Sequence, residues 1–396
     1  MKLLHTSDWH LGRTLEQNSL HEAHMLYINH LIEVIEEHKV DALLVAGDVY
    51  DRALPNADTV ALFDWALNEL ASRTRVVISS GNHDSPQRLG FGSKIFERGN
   101  VFLRTNVEDI LKPVVFGEGP DQVAVYGIPY LEPATTARQL RQLSNVESDA
   151  SPTQEHVIRL AADLVKQHAE SNGYANTVFM SHAWFAGGEA SDSERTLAVG
   201  GLAIVPLTVL DGFTYSALGH IHKPGAPAHN IRYSGSPLKF SFSETKHTKH
   251  SLLVDISDNQ IAITEIPTPV WREMADIEGT LEELLTHEKF NDFQDYWIRA
   301  NLLEMEIPAN AMDKLRGRFP NIIKLKLPTL NAEFAPTIDV NSIDPIDLCC
   351  NFMEFTRGDT KPVTEWEREQ FNKAAQYASV DPHTRNVAAA DNEESE

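Results

Sequence analysis

Cysteine is nearly missing from this chain of 396 residues: there are two, adjacent at Cys349 and Cys350. A disulfide framework is excluded, and two neighbouring thiols make no closed zinc site. Both are expected to act as small buried hydrophobes. Long apolar runs are missing too, and none approaches the roughly 18 residues that span a bilayer. The opening Met1–His10 carries no uninterrupted apolar stretch of the kind a signal peptide needs, so a cytoplasmic protein is expected. Basic residues are in deficit: 34 Lys and Arg face 57 Asp and Glu, for a formal charge of −23. A protein that grips nucleic acid unaided shows a basic footprint. Binding of that kind would need basic residues gathered on one face, or a partner that supplies the grip. Phosphodiester chemistry is not excluded, because bound cations reverse the local field of an acidic site.

What is present is the pattern of a soluble α/β protein, 42% hydrophobic and 23% charged. Its length exceeds one ordinary domain of roughly 100–200 residues. Short apolar runs at Lys2–Ser7, Ala42–Ala46, Arg75–Ser80, Val123–Ile128, Thr177–Ser181, Tyr215–Leu218, Ile231–Ser234 and Ser251–Ile256 read as strands. Helical spacing recurs between them, in Val60, Phe63, Leu67 and Leu70 and again in Val157, Leu160, Leu164 and Val165. Such alternation places helices over sheet faces. The polar stretch Ser144–Thr153 reads as a loop. After Pro267 and Pro269 a smaller α+β pattern follows. It has strands at Trp271–Ile277, Tyr296–Leu303 and Ile322–Leu327 and helices at Leu281–Leu285 and Ala311–Arg318. Asp344-Pro345 is an N-cap followed by a first-turn proline, with Ile346, Cys349, Phe352 and Met353 as an apolar stripe. Thr364 and Glu367 have the spacing of a capping box, ahead of Trp366, Phe371 and Ala374. The expected layout is a domain at 1–266, a small domain at 267–328, a linker at 329–343, a helical segment at 344–380 and a disordered acidic tail at 381–396.

Polar residues cluster just past the strands. Asp8-Trp9-His10 follows the first, and strand alternation would put Asp8 and His10 on one side. Gly47-Asp48 follows the second and Gly81-Asn82-His83-Asp84 the third, while His182 and Gly219-His220-Ile221-His222 end two more. The carboxyl edge of an open α/β sheet is where ligands bind. Imidazole with carboxylate and amide oxygen suits Mn, Fe or Zn. Two cations roughly 3.5–4 Å apart support in-line displacement at phosphorus, and Asp48 is the natural carboxylate to bridge them. Each piece alone is weak, since Asn and Gly favour ordinary turns. The ordered set, each member after a strand, is what points to a metal centre.

These segments, with Gly235-Ser236-Pro237 and Ser241-Phe242-Ser243-Glu244, resemble the SbcD family of bacterial nuclease subunits within the calcineurin-like phosphoesterases. The resemblance implies an αββα metallophosphoesterase sandwich, a capping domain and partner-binding helices. It implies one ion held by Asp8, His10, Asp48 and His222, and another by Asp48, Asn82, His182 and His220. His83 would face the substrate phosphate and Asp84 would orient His83. It further implies manganese as the preferred metal, with Mg, Fe or Zn as alternatives. Exonuclease action on duplex ends and endonuclease action on single strands or hairpins follow from it, in DNA repair, recombination and replication. So do a homodimer, a nucleoid-associated heterotetramer, and an SbcC-type ATPase partner bound by the C-terminal helices. Archaeal and eukaryotic relatives often carry a second histidine near the position where this chain has Asp51-Arg52, so Asp51 receives no catalytic role.

Other residues invite blander readings. His21, His24, His30 and His38 share an expected helix, Ser19–His38, and are read as its solvated face opposite Ile28, Leu31, Ile32 and Ile35. Lys246–Lys249 is a solvated loop or one near DNA phosphates, and Trp184-Phe185 with Gly187-Gly188 a substrate-facing loop or a structural turn. Arg13 could contact a phosphate. Two rival functions share the sequence: a phosphatase or small-molecule phosphodiesterase on the same fold, and a non-catalytic adaptor for an ATPase.

Overall fold

The protein is described from a computed structural model covering residues 1–119, 122–144, 152–194, 204–257, 260–304, 307–327, 344–357 and 362–379. The expected linker 329–343 and tail 381–396, and residues 145–151 of the expected polar loop, lie outside these. The chain divides into two compact units, Met1–Pro328 and Thr329–Glu396.

In the first unit two six-stranded sheets pack face to face. One has the order Gln260–Pro267, His250–Ser257, Lys2–Thr6, Ala42–Ala46, Arg75–Ser79, Val101–Arg104. The other runs Gly225–Ala228, Ile231–Tyr233, Tyr215–Gly219, Asn176–His182, Val123–Gly127, Val114–Phe116. Alternation along each strand sorts the core into layers. Leu3, Leu44, Ala46 and Val77 meet Val125, Val178, Met180 and Ala217 between the sheets. Leu4, Leu43 and Val45 face outward onto helices His21–His38 and Ala57–Ala71, through Ile28, Leu31, Leu62 and Phe63. Tyr126 and Phe179 do the same beneath helix Gln154–Ser171. Burial on both faces explains the unbroken apolar run Ala42–Ala46. Asn56 and Thr153 cap their helices by accepting from Thr59 N and His156 N.

The central strands of both sheets are parallel. Their carboxyl ends therefore open onto one edge. The four strands that the apolar runs did not show, Val101–Arg104, Val114–Phe116, Gly225–Ala228 and Gln260–Pro267, lie at or beside the sheet margins. Gly225–Ala228 and Gln260–Pro267 are half-exposed and need no continuous apolar run, while Val101–Arg104 and Val114–Phe116 are mostly buried but only four and three residues long.

Within the same unit, Met274–Gly279, Trp297–Leu302 and Ile322–Lys326 form a parallel three-stranded sheet. Helices Leu281–Thr286 and Ala311–Arg318 connect them and enclose a core around Ile277, Leu284, Ala300, Leu315 and Phe319. Met274 and Trp297 join this part to the larger core. The second unit, taken by itself, pairs helices Pro345–Arg357 and Glu365–Ser379. Ile346 N donates to Asp344 Oδ1 at 2.8 Å, and Thr364 and Glu367 close their capping box. Of the two free thiols only Cys350 is buried; Cys349 is exposed, against expectation, because the stripe it shares with Phe352 faces solvent.

Candidate metal centre

The first pair of site residues does not arise by strand alternation. The strand ends at Thr6, and Asp8 and His10 turn into the left-handed region, with φ of 53° and 46°. The turn is held by Asp8 N donating to Gly47 O at 3.1 Å and His10 N donating to Asp48 O at 3.0 Å. Asp48 (φ 48°) and His220 (φ 93°) are left-handed as well. Non-glycine residues rarely hold that conformation without surrounding constraint, and such strain gathers at functional sites. Two glycines let the segments close up. A Cβ on Gly47 would lie 2.2 Å from His182 Nδ1, and one on Gly81 would lie 2.1 Å from Asp48 Oδ1.

The structure brings together all seven residues expected to hold metal: Asp8, His10, Asp48, Asn82, His182, His220 and His222. His10 Nε2 and His222 Nε2 are 3.1 Å apart. Asn82 Oδ1 lies 3.0 Å from His182 Nε2 and 3.2 Å from His220 Nδ1. Asp48 Oδ2 stands between these groups, 3.5 Å from His10 Nε2 and 3.3 Å from His182 Nε2. Among the described residues three groups have donor atoms close enough together to hold an ion: Asp8, His10 and His222; His10, Asp48 and His83; and Asp8, Asp48 and His182. The donor set, imidazole with carboxylate and amide oxygen, fits two divalent cations.

The surroundings orient these donors. His220 N donates to Asp8 Oδ1 at 3.0 Å, and Ser7 Oγ to Asp8 Oδ2 at 2.5 Å. His182 Nδ1 faces Ala46 O at 2.9 Å, which turns Nε2 toward Asp48. The Phe240 ring packs edge-on to His10 and His222. Burial pushes Asp8 up to about 7, against the pull of His182. Burial also lowers His10 to about 4 and His220 to about 3, so both imidazoles are neutral and able to ligate. Burial would raise Asp48 too, but His182, His10 and His83 hold it well below the usual carboxylate range.

His83 lies at the rim, its Nε2 3.9 Å from Asp48 Oδ2 and its ring edge-on to His10. Its Nδ1 donates to the backbone carbonyl of Asp51 at 2.8 Å. Asp84, expected to orient His83, does something else. Its carboxylate accepts from Val49 N, Tyr50 N and Gly81 N at 3.1, 2.9 and 2.9 Å, tying two site loops together. None of these hydrogen bonds reaches the imidazole. Asp51 is the residue that sequence reasoning passed over. Its carbonyl aims His83, and its carboxylate lies 3.4 Å from both His10 Nδ1 and Arg13 Nη1.

Arg13, expected to contact a phosphate, lies beside the site, donating to Ser193 O at 2.7 Å and lying over the Phe240 ring. Other expectations change with the structure. His24 is not on a solvated face: it is 1% exposed, and its Nε2 meets Trp9 O at 2.8 Å beneath the first site turn. Lys249 does not belong to a solvated loop; it is buried against Glu244. Phe185 is fully buried with its N–H on Tyr233 Oη, which makes the Trp184–Gly188 stretch a structural turn. Ser193, Glu194 and Glu244, which crowd around His222, carried no signal beyond the Ser241–Glu244 motif.

Residues 1–224 match the calcineurin-like phosphoesterase family. The chain is 30% identical over 365 residues to the SbcD subunit of the nuclease SbcCD from Staphylococcus saprophyticus, covering 91% of this chain and 94% of that relative. Among solved structures, a dimetal phosphatase from Danio rerio aligns with a TM-score of 0.36 and 11% identity, over 67% of this chain and 95% of that one.

Proposed function

The chain belongs to the calcineurin-like phosphoesterases and, within them, to the SbcD nuclease subunits, and from that premise we propose that it is a metal-dependent DNA nuclease. The observation that carries this reading is the convergence of Asp8, His10, Asp48, Asn82, His182, His220 and His222 around Asp48 Oδ2, with His83 at the rim. Asp8, His10, Asp48 and His222 would hold one ion, and Asp48, Asn82, His182 and His220 the other. When bound, two divalent ions supply Lewis acidity that activates water and neutralises charge on the phosphoryl oxygens. The residues of the chain do the rest. His83, held by the Asp51 carbonyl through Nδ1, presents Nε2 toward the site, where it can bear on a phosphate oxygen or hand a proton to the leaving sugar oxygen. Asp84 fixes the loops that place Asp48 and His83.

Manganese is the metal we assign. By the name of the relative, we assign assembly with an SbcC-type ATPase, whose docking surface would be the helices Pro345–Arg357 and Glu365–Ser379. Phe352 and Trp366 there are each 68% exposed, and apolar side chains left uncovered on a helix pair fit docking in a groove. A partner of that kind would supply the basic grip that a chain of charge −23 lacks. Exonuclease and endonuclease action in repair, recombination and replication, and a homodimer in the cytoplasm, complete the reading.

The test is cleavage of labelled duplex and hairpin DNA, with manganese or magnesium, with and without the partner ATPase, beside a chromogenic phosphomonoester. DNA cleavage that disappears in His83→Ala, with folding and metal binding retained, is the expected result. Brisk monoester turnover without DNA cleavage would move the protein to the phosphatases.

A further inference from the structure

His222 is gripped at three points by residues that lie outside the proposed ligand set. Its ring Nδ1 is 2.5 Å from Ser193 Oγ. Its backbone N–H donates to Glu194 Oε1 at 2.7 Å, and its carbonyl accepts from Lys249 Nζ at 2.7 Å. Ser193 Oγ lies 2.6 Å from Glu244 Oε1, and Lys249 Nζ lies 2.5 Å from Glu244 Oε2. Lys249 also donates to Ser236 Oγ at 2.8 Å. The whole chain of contacts is inside the protein: Glu244 is 0%, His222 2%, Lys249 6% and Ser193 8% exposed.

The direction of these bonds follows from counting protons. An ionised carboxylate only accepts, and Lys249 beside it keeps Glu244 ionised. The single hydroxyl proton of Ser193 therefore goes to Glu244. Ser193 Oγ is left as an acceptor toward His222, so His222 carries its proton on Nδ1. The lone pair then sits on Nε2, which lies 3.1 Å from His10 Nε2 at the metal centre. A ligand imidazole whose other nitrogen is anchored is fixed in tautomer and ring angle, and losing such an anchor typically lowers metal affinity about 10–100-fold.

We propose that Ser193 and Glu244, with Lys249 behind them, are positioning residues that lock the tautomer and orientation of His222, and with them the affinity of one of the two metal sites. The inference rests on the metal-centre reading above. The residues come from segments far apart in sequence, 191–194 and 244–249, which the fold brings together beside His222.

The experiment is manganese titration of metal-free wild-type protein, Ser193→Ala and Ser193→Thr by calorimetry, with thermal melts of the metal-free proteins alongside. Wild-type should bind two ions. Ser193→Ala should stay folded, with a metal-free melt lowered by its two lost buried hydrogen bonds, and bind one ion as wild-type does, while the other weakens about 10–100-fold. Ser193→Thr, which restores the hydroxyl, should recover the weakened site. In nitrogen-15 spectra of the metal-free protein, His222 should lose its Nδ1-protonated signature in Ser193→Ala alone. Wild-type affinity at both sites in Ser193→Ala, or equal loss at both, overturns the proposal and leaves the nuclease reading standing. No manganese bound by wild-type takes down both.

Discussion

Gly219 closes the strand Tyr215–Gly219 where the two sheets converge on the metal centre, and adding one methyl group there tests the geometry of the whole site. A Cβ at Gly219 would lie 1.9 Å from the backbone oxygen of Ala46, in the opposite sheet, and 2.9 Å from His182 Nδ1. Real Cβ contacts essentially never fall below 3.0 Å, so about 1 Å of separation must be forced between two backbones in a close-packed interior. Overpacking of this kind costs roughly 1–3 kcal/mol. The displaced atom, Ala46 O, is also the acceptor that aims His182, and losing that bond adds about 1 kcal/mol. Gly219→Ala should therefore be about 2–4 kcal/mol less stable in urea unfolding and should bind manganese at His182 at least about tenfold more weakly. Gly317→Ala is the matched control. Gly317 lies in the helix Ala311–Arg318 with nothing within 4 Å of its would-be Cβ, so helix propensity should stabilise the protein by up to about 1 kcal/mol. If Gly219→Ala unfolds and binds metal like wild-type, the close approach of Gly219 to Ala46 does not constrain the site, and the reasoning is refuted.

Further outcomes follow from the same structure. His83→Ala should slow DNA cleavage about 10²–10⁴-fold while manganese titration still finds both ions, and unchanged cleavage would remove His83 from the chemistry. Burial holds His5, bonded to Tyr215 Oη at 2.9 Å, at about 3, below the ordinary histidine value of 6.5. The unfolded chain thus binds the extra proton, and His5 withdraws stability as pH falls from about 6.5 toward 3, by about 1.4 kcal/mol per unit. Urea midpoints between pH 7.5 and 5.0 should fall less steeply in His5→Gln, and equal slopes would refute this. Manganese at 100 times its Kd should raise stability by about 2.7 kcal/mol over chelator-treated protein, read as a rise in melting temperature that a non-binding cluster cannot show. Phe352→Asp should weaken association with the partner ATPase in a pull-down with the purified ATPase, without altering metal binding. Unimpaired association would place the docking surface elsewhere.

Much of this protein was written locally. The strand-to-loop junctions Asp8-Trp9-His10, Gly47-Asp48, Gly81–Asp84, His182 and Gly219–His222 announce the residues that converge on the candidate metal centre, because each follows a buried parallel strand whose apolar run is unmistakable. Parallel strands share one carboxyl edge, so residues distant in sequence were bound to meet. Edge strands such as Gln260–Pro267 were missed because a half-exposed strand carries no continuous apolar signal.

What the sequence could not decide was which second residue each ligand touches. Asp84 stands next to His83 in the chain and yet serves Val49, Tyr50 and Gly81, while the carbonyl of Asp51, 32 residues away, aims His83. Lys249 sits in a stretch that reads as solvent-facing and is buried against Glu244. A backbone carbonyl has no side-chain signature, and a charged residue reveals its partner only when the fold brings the two together. Residue types and their order settled the kind of chemistry; packing alone settled which groups hold the ligands in place.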